Sequence, residues 1–238
     1  MQEVLIRDVF GLKNTSLQIK LDILDVLLNY RKGARILCRV ENQIEEILET
    51  LINCKIGIAI GKGMVLQGHS SPNNVQDYFD SDVKDVEKLV PIYLSQTEVK
   101  AKKLRSLDES KNDFDFGLAL DYPKCCIEKV KIAGHVPTIV EAFENLLIDG
   151  KYNVWTWPIA MIRDSSLLVH FPCSTNCIES EKLAKKHFSL IKKYASEDIY
   201  NRVTKHHTCS YSLKNNVILI DDNDNMVRPL NFIDDDLF

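Results

Sequence analysis

The sequence predicts an α+β protein that folds as a single domain over residues 1–238. Apolar residues recur at helical spacing in several segments, and short β-rich apolar runs lie between these segments. The chain of 238 residues is 45% hydrophobic and 27% charged, which is typical of globular proteins and sufficient for a core without disulfides. We predict a small α/β subdomain over about residues 1–95 and a part that carries the cysteines and histidines over about 96–238.

The N-terminal part alternates between helical and strand patterns. The predicted elements are a leucine-rich helix at 16–30, a strand at 34–40, a helix at 41–52, and a hairpin of strands at 56–60 and 64–67. The Gly61-Lys62-Gly63 segment is interpreted as the hairpin turn. A phosphate-binding loop would need the spacing Gly-x4-Gly-Lys-Ser/Thr, which this segment lacks.

The C-terminal part follows a polar, turn-rich segment at 70–82. Its predicted elements are a strand at 90–94, a basic helix at 97–107, a helix after Pro123, a helix at 138–148, a strand at 166–170, a helix after Cys177, and strands at 206–212 and 217–220. The last strands predict a small antiparallel sheet, on which we expect the helix with the cysteine pair to pack.

Two adjacent cysteines, Cys125 and Cys126, follow Pro123 directly. Proline lacks an N–H group and has a fixed φ, so it belongs at or just before the first turn of a helix. The unpaired N–H groups of that turn and the helix dipole favour a thiolate. We therefore expect a lowered pKa at one of the two thiols, with Cys126 facing the core and Cys125 facing outward. A thiolate is both a nucleophile and a metal ligand, so both chemistries are candidates.

Metal binding is one of these candidates. Cys173 and Cys177 have a spacing typical of zinc knuckles, and with Cys125 and Cys126 they would supply four thiolates to zinc or an iron–sulfur cluster. Neighbouring helical residues point about 100° apart, which disfavours aiming both Cys125 and Cys126 at one zinc ion. Seven cysteines, an odd number, predict reduced or metal-bound thiols and a cytoplasmic protein.

Nucleophilic catalysis is the other candidate. A catalytic cysteine needs a histidine base and a third group that orients the histidine. The nucleophile would be Cys126 or Cys125. The base would be His170, beside the cysteine-rich loop, or His207, on a predicted strand whose partner strand ends at Asp221. The only tryptophans, Trp155 and Trp157, predict either the wall of a substrate pocket or a core contact.

Two blocks, Tyr122-Pro-x-Cys-Cys126 and His170-x-Pro-Cys-Ser-x2-Cys177, resemble the signature of a prokaryotic domain family of unknown function. The order helix-Cys, strand-His, strand-Asp is also similar to that of papain-fold enzymes and transglutaminases, and to papain-fold condensing enzymes of polythioamide (closthioamide) assembly. These resemblances imply a papain-like fold and a cysteine acyl-enzyme that passes its acyl group to water or an amine. The Gly-x-Cys-Trp block of papain-like enzymes is absent, and the doubled cysteine leaves the nucleophile open.

The sequence thus predicts a thiol-dependent acyltransferase without a cofactor, acting on a small-molecule or carrier-bound acyl substrate. The alternatives are an iron–sulfur or zinc protein and a non-catalytic binding module. The net charge of −4 predicts no nucleic-acid partner. We expect no membrane association, because no apolar run reaches about 18 residues. The charged N-terminus is unlike a secretory signal.

Overall fold

The computed structural model describes residues 2–39, 43–67, 86–133, 154–156, 166–174, 176–208, 210–214, 217–222 and 226–229. Within these residues the fold is α+β, with eight α-helices and two antiparallel sheets. The predicted helix at 138–148, the polar segment at 70–82 and Trp157 lie outside the described residues. None of the helices in the described ranges is both long enough and apolar enough to cross a membrane.

The helices and strands confirm most of the predicted elements. The helices are α1 (Gln2–Gly11), α2 (Leu17–Leu27), α3 (Ile44–Asn53), α4 (Glu98–Glu109), α5 (Asp113–Ala119), α6 (Lys124–Ala133), α7 (Ile178–Tyr194) and α8 (Glu197–Thr208), and a 3₁₀ turn covers Val154–Thr156. The strands are β1 (Gly33–Arg39), β2 (Gly57–Ile60), β3 (Met64–Gln67), β4 (Val86–Ser95), β5 (Ser210–Lys214), β6 (Val217–Asp222) and β7 (Met226–Pro229).

Strand β4 is the centre of the larger sheet. It pairs with β1 on one side, while on the other side its residues 92–95 pair with β2 and its residues 86–89 pair with β3. Strands β2 and β3 therefore lie end to end along one neighbour, and the predicted hairpin between them is wrong. The physical reason is the length of β4, since ten residues give room for two strands of four.

Helices cover both faces of this sheet. Ile92 and Leu94 point into the main core, whereas Tyr93 between them packs on the opposite face against α4 and α5. This alternation follows from the two-residue period of a strand. The main core takes buried side chains from α1, α2, α3, α7 and α8 and from Leu167 and Leu168, so both predicted parts of the chain contribute to it. The division near residue 95 stays a prediction.

The predicted strand at 166–170 is wrong, and the one predicted at 206–212 is confirmed only for residues 210–212, which lie in β5. Residues 166–170 form a turn, in which Leu168 N–H donates to Ser166 Oγ (3.1 Å) and Ser166 Oγ donates to Leu168 O (2.8 Å). His207 lies in α8, which is helical because Ile199 and Val203 bury one face at helical spacing. The small sheet at the C-terminus, β5–β6–β7, is confirmed. The packing of α6 on that sheet stays a prediction.

Candidate metal centre

Cys125 and Cys126 lie in the first turn of α6, as predicted. The carbonyl of Pro123 accepts hydrogen bonds from the backbone N–H groups of Cys126 (2.9 Å) and Ile127 (3.1 Å), which start the helix. Cys126 is 4% exposed and faces the interior, whereas Cys125 is exposed. The sequence prediction of which cysteine faces the core is therefore confirmed.

Cys173 and Cys177 lie next to Cys125 and Cys126, on the segment of chain that leads into α7. Cys177 is the N-cap residue of α7, and its N–H donates to the carbonyl of Ser174 (3.2 Å) in the preceding turn. Helix α7 is fixed by side chains buried in the core: Leu183, Ala184, Leu190 and Ile191. The packing of α7 therefore determines where the Cys177 sulfur lies.

The four sulfur atoms form one cluster. The Sγ atom of Cys177 is 3.7 Å from those of both Cys125 and Cys126, and these two are 4.0 Å apart. All four sulfurs, including that of Cys173, lie within 4.8 Å of one another and can bind a metal ion. The expected difficulty of directing adjacent cysteines at one ion does not arise, because the sulfurs of Cys125 and Cys126 lie only 4.0 Å apart.

A serine and a backbone N–H group hydrogen-bond to two of the sulfurs. Ser180, buried one turn after Cys177 on α7, donates its hydroxyl to Cys177 Sγ (3.2 Å) and lies 3.5 Å from Cys126 Sγ. The backbone N–H of Cys173 donates to Cys126 Sγ (3.3 Å). The sulfur contacts of Cys125 in the described residues are with other cysteines.

These contacts give the thiols different pKa values. Partial burial, with hydrogen bonds to Cys173 and Cys177, raises the pKa of Cys125 to about 11, and burial also raises the pKa of Cys126. For Cys177 the effect of burial is outweighed by hydrogen bonds, first that of Ser180, and the pKa is lowered to about 7. The prediction of a lowered pKa at Cys125 or Cys126 is wrong, because the favoured thiolate lies at the start of α7.

His170 contacts Ser180 in this structure. Its Nε2 lies 2.9 Å from Ser180 Oγ, and its ring packs against that of Tyr122 at an angle of 32°, with centroids 5.2 Å apart. The guanidinium of Arg31 lies 5.2 Å from the centroid of the same tyrosine ring. Burial, with repulsion by Arg31 and His187, lowers the pKa of His170 to about 3, so its imidazole is neutral at pH 7. Its role as a base stays a prediction.

A second buried polar network was not predicted from the sequence. Arg31 Nε donates to Asp25 Oδ2 (2.6 Å), and Arg31 also binds Asp22. Asp25 Oδ1 lies 2.6 Å from Nε2 of His187, whose Nδ1 contacts the carbonyl of Leu167 at 2.6 Å. The sequence did contain a signal for buried charge here, because Asp22 and Asp25 lie three residues apart within the leucine-rich pattern of α2.

The remaining predicted site residues lie elsewhere or outside the described part. Trp155 is half-buried and packs edge-on against Phe188 of α7, with ring centroids 5.5 Å apart, beside the main core. In β6, Asp221 pairs through its backbone with Ser210. The side chains of His207 and Asp221, like the whole of Trp157, are outside what the structure describes, so their roles stay predictions.

Comparison with known proteins yields no relative for this chain. No family model, no curated protein and no solved structure matches it. The resemblances of the two cysteine-bearing blocks therefore stay hypotheses. The cluster of four cysteine sulfurs is the observation that supports a proposal for function.

Proposed function

We propose that the protein binds one zinc ion through Cys125, Cys126, Cys173 and Cys177, and that the ion holds α6 against the start of α7. The observation that carries this proposal is the spacing of 3.7–4.0 Å between the sulfurs of Cys125, Cys126 and Cys177. Four sulfurs around one tetrahedral zinc ion, with bonds of about 2.3 Å, lie about 3.8 Å apart. Four thiolates fill the coordination sphere, which is typical of structural zinc sites.

The same spacing favours a single ion over an iron–sulfur cluster. In a cluster the cysteines bind different iron atoms, so their sulfurs are separated by the width of the cluster as well as by the bonds. Two sulfurs on one ion, at about 2.3 Å each, are never more than about 4.6 Å apart. The sulfurs of Cys125, Cys126 and Cys177 are 3.7 to 4.0 Å from one another, which is below this limit.

Metal analysis of the purified protein tests the proposal. We expect about one zinc ion per chain after anaerobic purification, and little zinc in Cys177→Ser, because three thiolates bind zinc less tightly than four. The control Cys54→Ala removes a buried free thiol outside the cluster and should keep its zinc. A brown protein containing iron and acid-labile sulfide would indicate a cluster. Folded protein without metal would contradict metal binding altogether.

We also propose, as a second candidate, the thiol-dependent acyl transfer that the sequence predicts. Its support is geometric: Cys125 is exposed next to Cys126, and His170 lies 2.9 Å from Ser180 Oγ, which is 3.5 Å from Cys126 Sγ. In this candidate, Cys125 or Cys126 attacks a thioester or amide carbonyl, His170 or His207 is the base, and Asp221 orients it. The fold would be papain-like and the protein cytoplasmic. The acyl donor would be a small molecule or carrier-bound, without a cofactor, nucleic acid or membrane.

Mass spectrometry after incubation with a small acyl thioester and a primary amine tests this second candidate. We expect an acyl adduct on Cys125 or Cys126 and formation of the amide, both lost in Cys125→Ser or in Cys126→Ser and retained in Cys54→Ala. The reason is that the acyl-enzyme forms only on the attacking thiolate. Absence of both adduct and amide, with and without zinc, would count against acyl transfer.

A further inference from the structure

We infer that Cys125 is the reactive thiolate of the metal site, which attacks carbon electrophiles that carry a good leaving group. This inference rests on the proposed zinc site and deepens it, because it assigns a reaction to one of the four ligands. The observation behind it is the unequal hydrogen bonding and exposure of the sulfurs around the cluster.

Hydrogen bonds protect two of the sulfurs. Cys177 Sγ accepts from the Ser180 hydroxyl, and Cys126 Sγ accepts from the backbone N–H of Cys173. A hydrogen bond to a thiolate stabilises its negative charge and occupies an electron pair that a nucleophile would use. Cys125 Sγ contacts only other cysteine sulfurs within the described residues. Metal binding removes the S–H protons of those cysteines, so they no longer donate to it.

The orientation of the Ser180 hydroxyl is fixed by His170. The hydroxyl has one hydrogen, and when this points at Cys177 Sγ, the oxygen must accept from Nε2–H of His170. The imidazole then carries its proton on Nε2, and Nδ1 is a bare acceptor. This agrees with the surroundings of Nδ1, a buried atom with no hydrogen-bond partner among the described residues. His170 and Ser180 are thus positioning residues for the thiolates.

Exposure adds to this difference. Cys126 and Cys177 are each 4% exposed, Cys173 is half-buried, and Cys125 is exposed. An electrophile approaching from solvent therefore reaches the Cys125 sulfur first. Its exposure distinguishes Cys125 from Cys173, and the lack of an N–H or hydroxyl donor among the described residues distinguishes it from Cys126 and Cys177. Solvent exposure and the hydrogen bonding of the sulfurs therefore both favour reaction at Cys125 Sγ.

The reaction is a substitution at carbon. A bond forms between Cys125 Sγ and the carbon of the electrophile, and the leaving group departs with the electron pair of its former bond to that carbon. No proton moves at the sulfur, because the metal-bound thiolate is already deprotonated. The product at Cys125 is a thioether, or a thioester when the electrophile is an acyl group.

Limiting iodoacetamide is the probe that tests the inference on zinc-loaded protein, with the modified cysteines identified by mass spectrometry. We expect Cys125 to be carboxamidomethylated about tenfold faster than Cys126 and Cys177, the ratio expected from one hydrogen bond to a charged group. Labelling of Cys126, Cys173 or Cys177 as fast as Cys125 would overturn the inference. Zinc measured on the same sample separates the two outcomes: unselective labelling with zinc bound contradicts only this inference, whereas absence of zinc contradicts the proposed site.

A spectroscopic measurement tests the positioning residues. In cobalt-loaded protein, Ser180→Ala removes a hydrogen bond to a ligating thiolate, so the sulfur-to-cobalt charge-transfer band should move to longer wavelength. The control Ser189→Ala removes an exposed serine of the same helix, whose hydroxyl bonds the carbonyl of Lys185, and should leave the band in place. An unchanged band in Ser180→Ala would contradict the role of Ser180.

Discussion

Removal of the proposed zinc ion by a strong chelator is expected to lower the thermal unfolding midpoint of the protein by roughly 10 °C or more. Structural zinc sites contribute about 10–16 kcal/mol of apparent binding free energy in small peptides. Each kcal/mol of stability shifts the midpoint by about 2–4 °C in a chain of this size. A loss of only a few kcal/mol therefore suffices for the expected shift.

The loss should be concentrated in α6. Only Cys126 and Ile127 are buried in this ten-residue helix, and Cys126 is itself a proposed ligand. Since most helical stability in proteins comes from tertiary packing, α6 has little to hold it without the ion. Helix α2, which buries eight of its eleven residues, serves as the internal control.

Hydrogen exchange resolved by segment distinguishes these helices. We expect amide protection across residues 124–133 to fall on chelation, while protection across 17–27 changes little. Equal loss in both segments would mean that the ion stabilises the whole fold rather than α6. Unchanged protection in both would contradict a structural role for the ion.

Replacement of Asp25 by asparagine is expected to destabilise the protein by about 3–5 kcal/mol, as measured by the urea unfolding midpoint. Asp25 is fully buried and bonds both Arg31 and His187. The substitution places a neutral amide against the Nε of Arg31, a side chain that is 2% exposed, and leaves Asp22 as the carboxylate that pairs with its guanidinium among the described residues. The control Glu3→Gln breaks an exposed pair with Lys193 and should cost at most about 1 kcal/mol.

The contribution of Asp25 to the stability of the folded protein should also depend on pH. Burial would raise the pKa of this carboxyl, but His187 and Arg31 outweigh burial and hold it below its ordinary value. A carboxyl with a lowered pKa in the folded state stabilises the protein above its unfolded pKa, about 3.9, and loses this contribution as pH falls through the folded value. The stability difference between the native protein and Asp25→Asn should therefore be full at pH 6 and shrink below about pH 4.

Elements with a strong period could be predicted from the sequence, whereas pairings that depend on distant partners could not. The helical spacing in α2 and α7 was sufficient to predict both helices. Helix α1 was not predicted, although Ile6, Val9 and Phe10 carry the same spacing and are buried. Strand β3 pairs with β4 because β4 is long, and β4 begins nineteen residues after β3 ends. The local sequence pattern around β3 therefore does not reveal this pairing.

The ligands of the candidate site could be predicted, but their surroundings could not. The four cysteines belong to two helix starts, and this was sufficient to place them together. The bond between Asp25 and His187 joins residues 162 positions apart, so only tertiary packing reveals it. The contact between Ser180 and Cys177 could have been predicted from the sequence, since Ser180 lies three residues after Cys177 on the same face of α7.

The proposed metal ligands would also close a ring of chain. Cys125 and Cys177 are 52 residues apart, so zinc binding would cross-link a loop of that length. By the chain-entropy model for cross-links, closing such a loop reduces the freedom of the unfolded chain by the equivalent of about 4 kcal/mol. The cost of closure grows slowly with loop length, about 0.6 kcal/mol per doubling. Sequence inserted between Cys125 and Cys177 would thus lengthen the ring with little effect on the entropy of its closure.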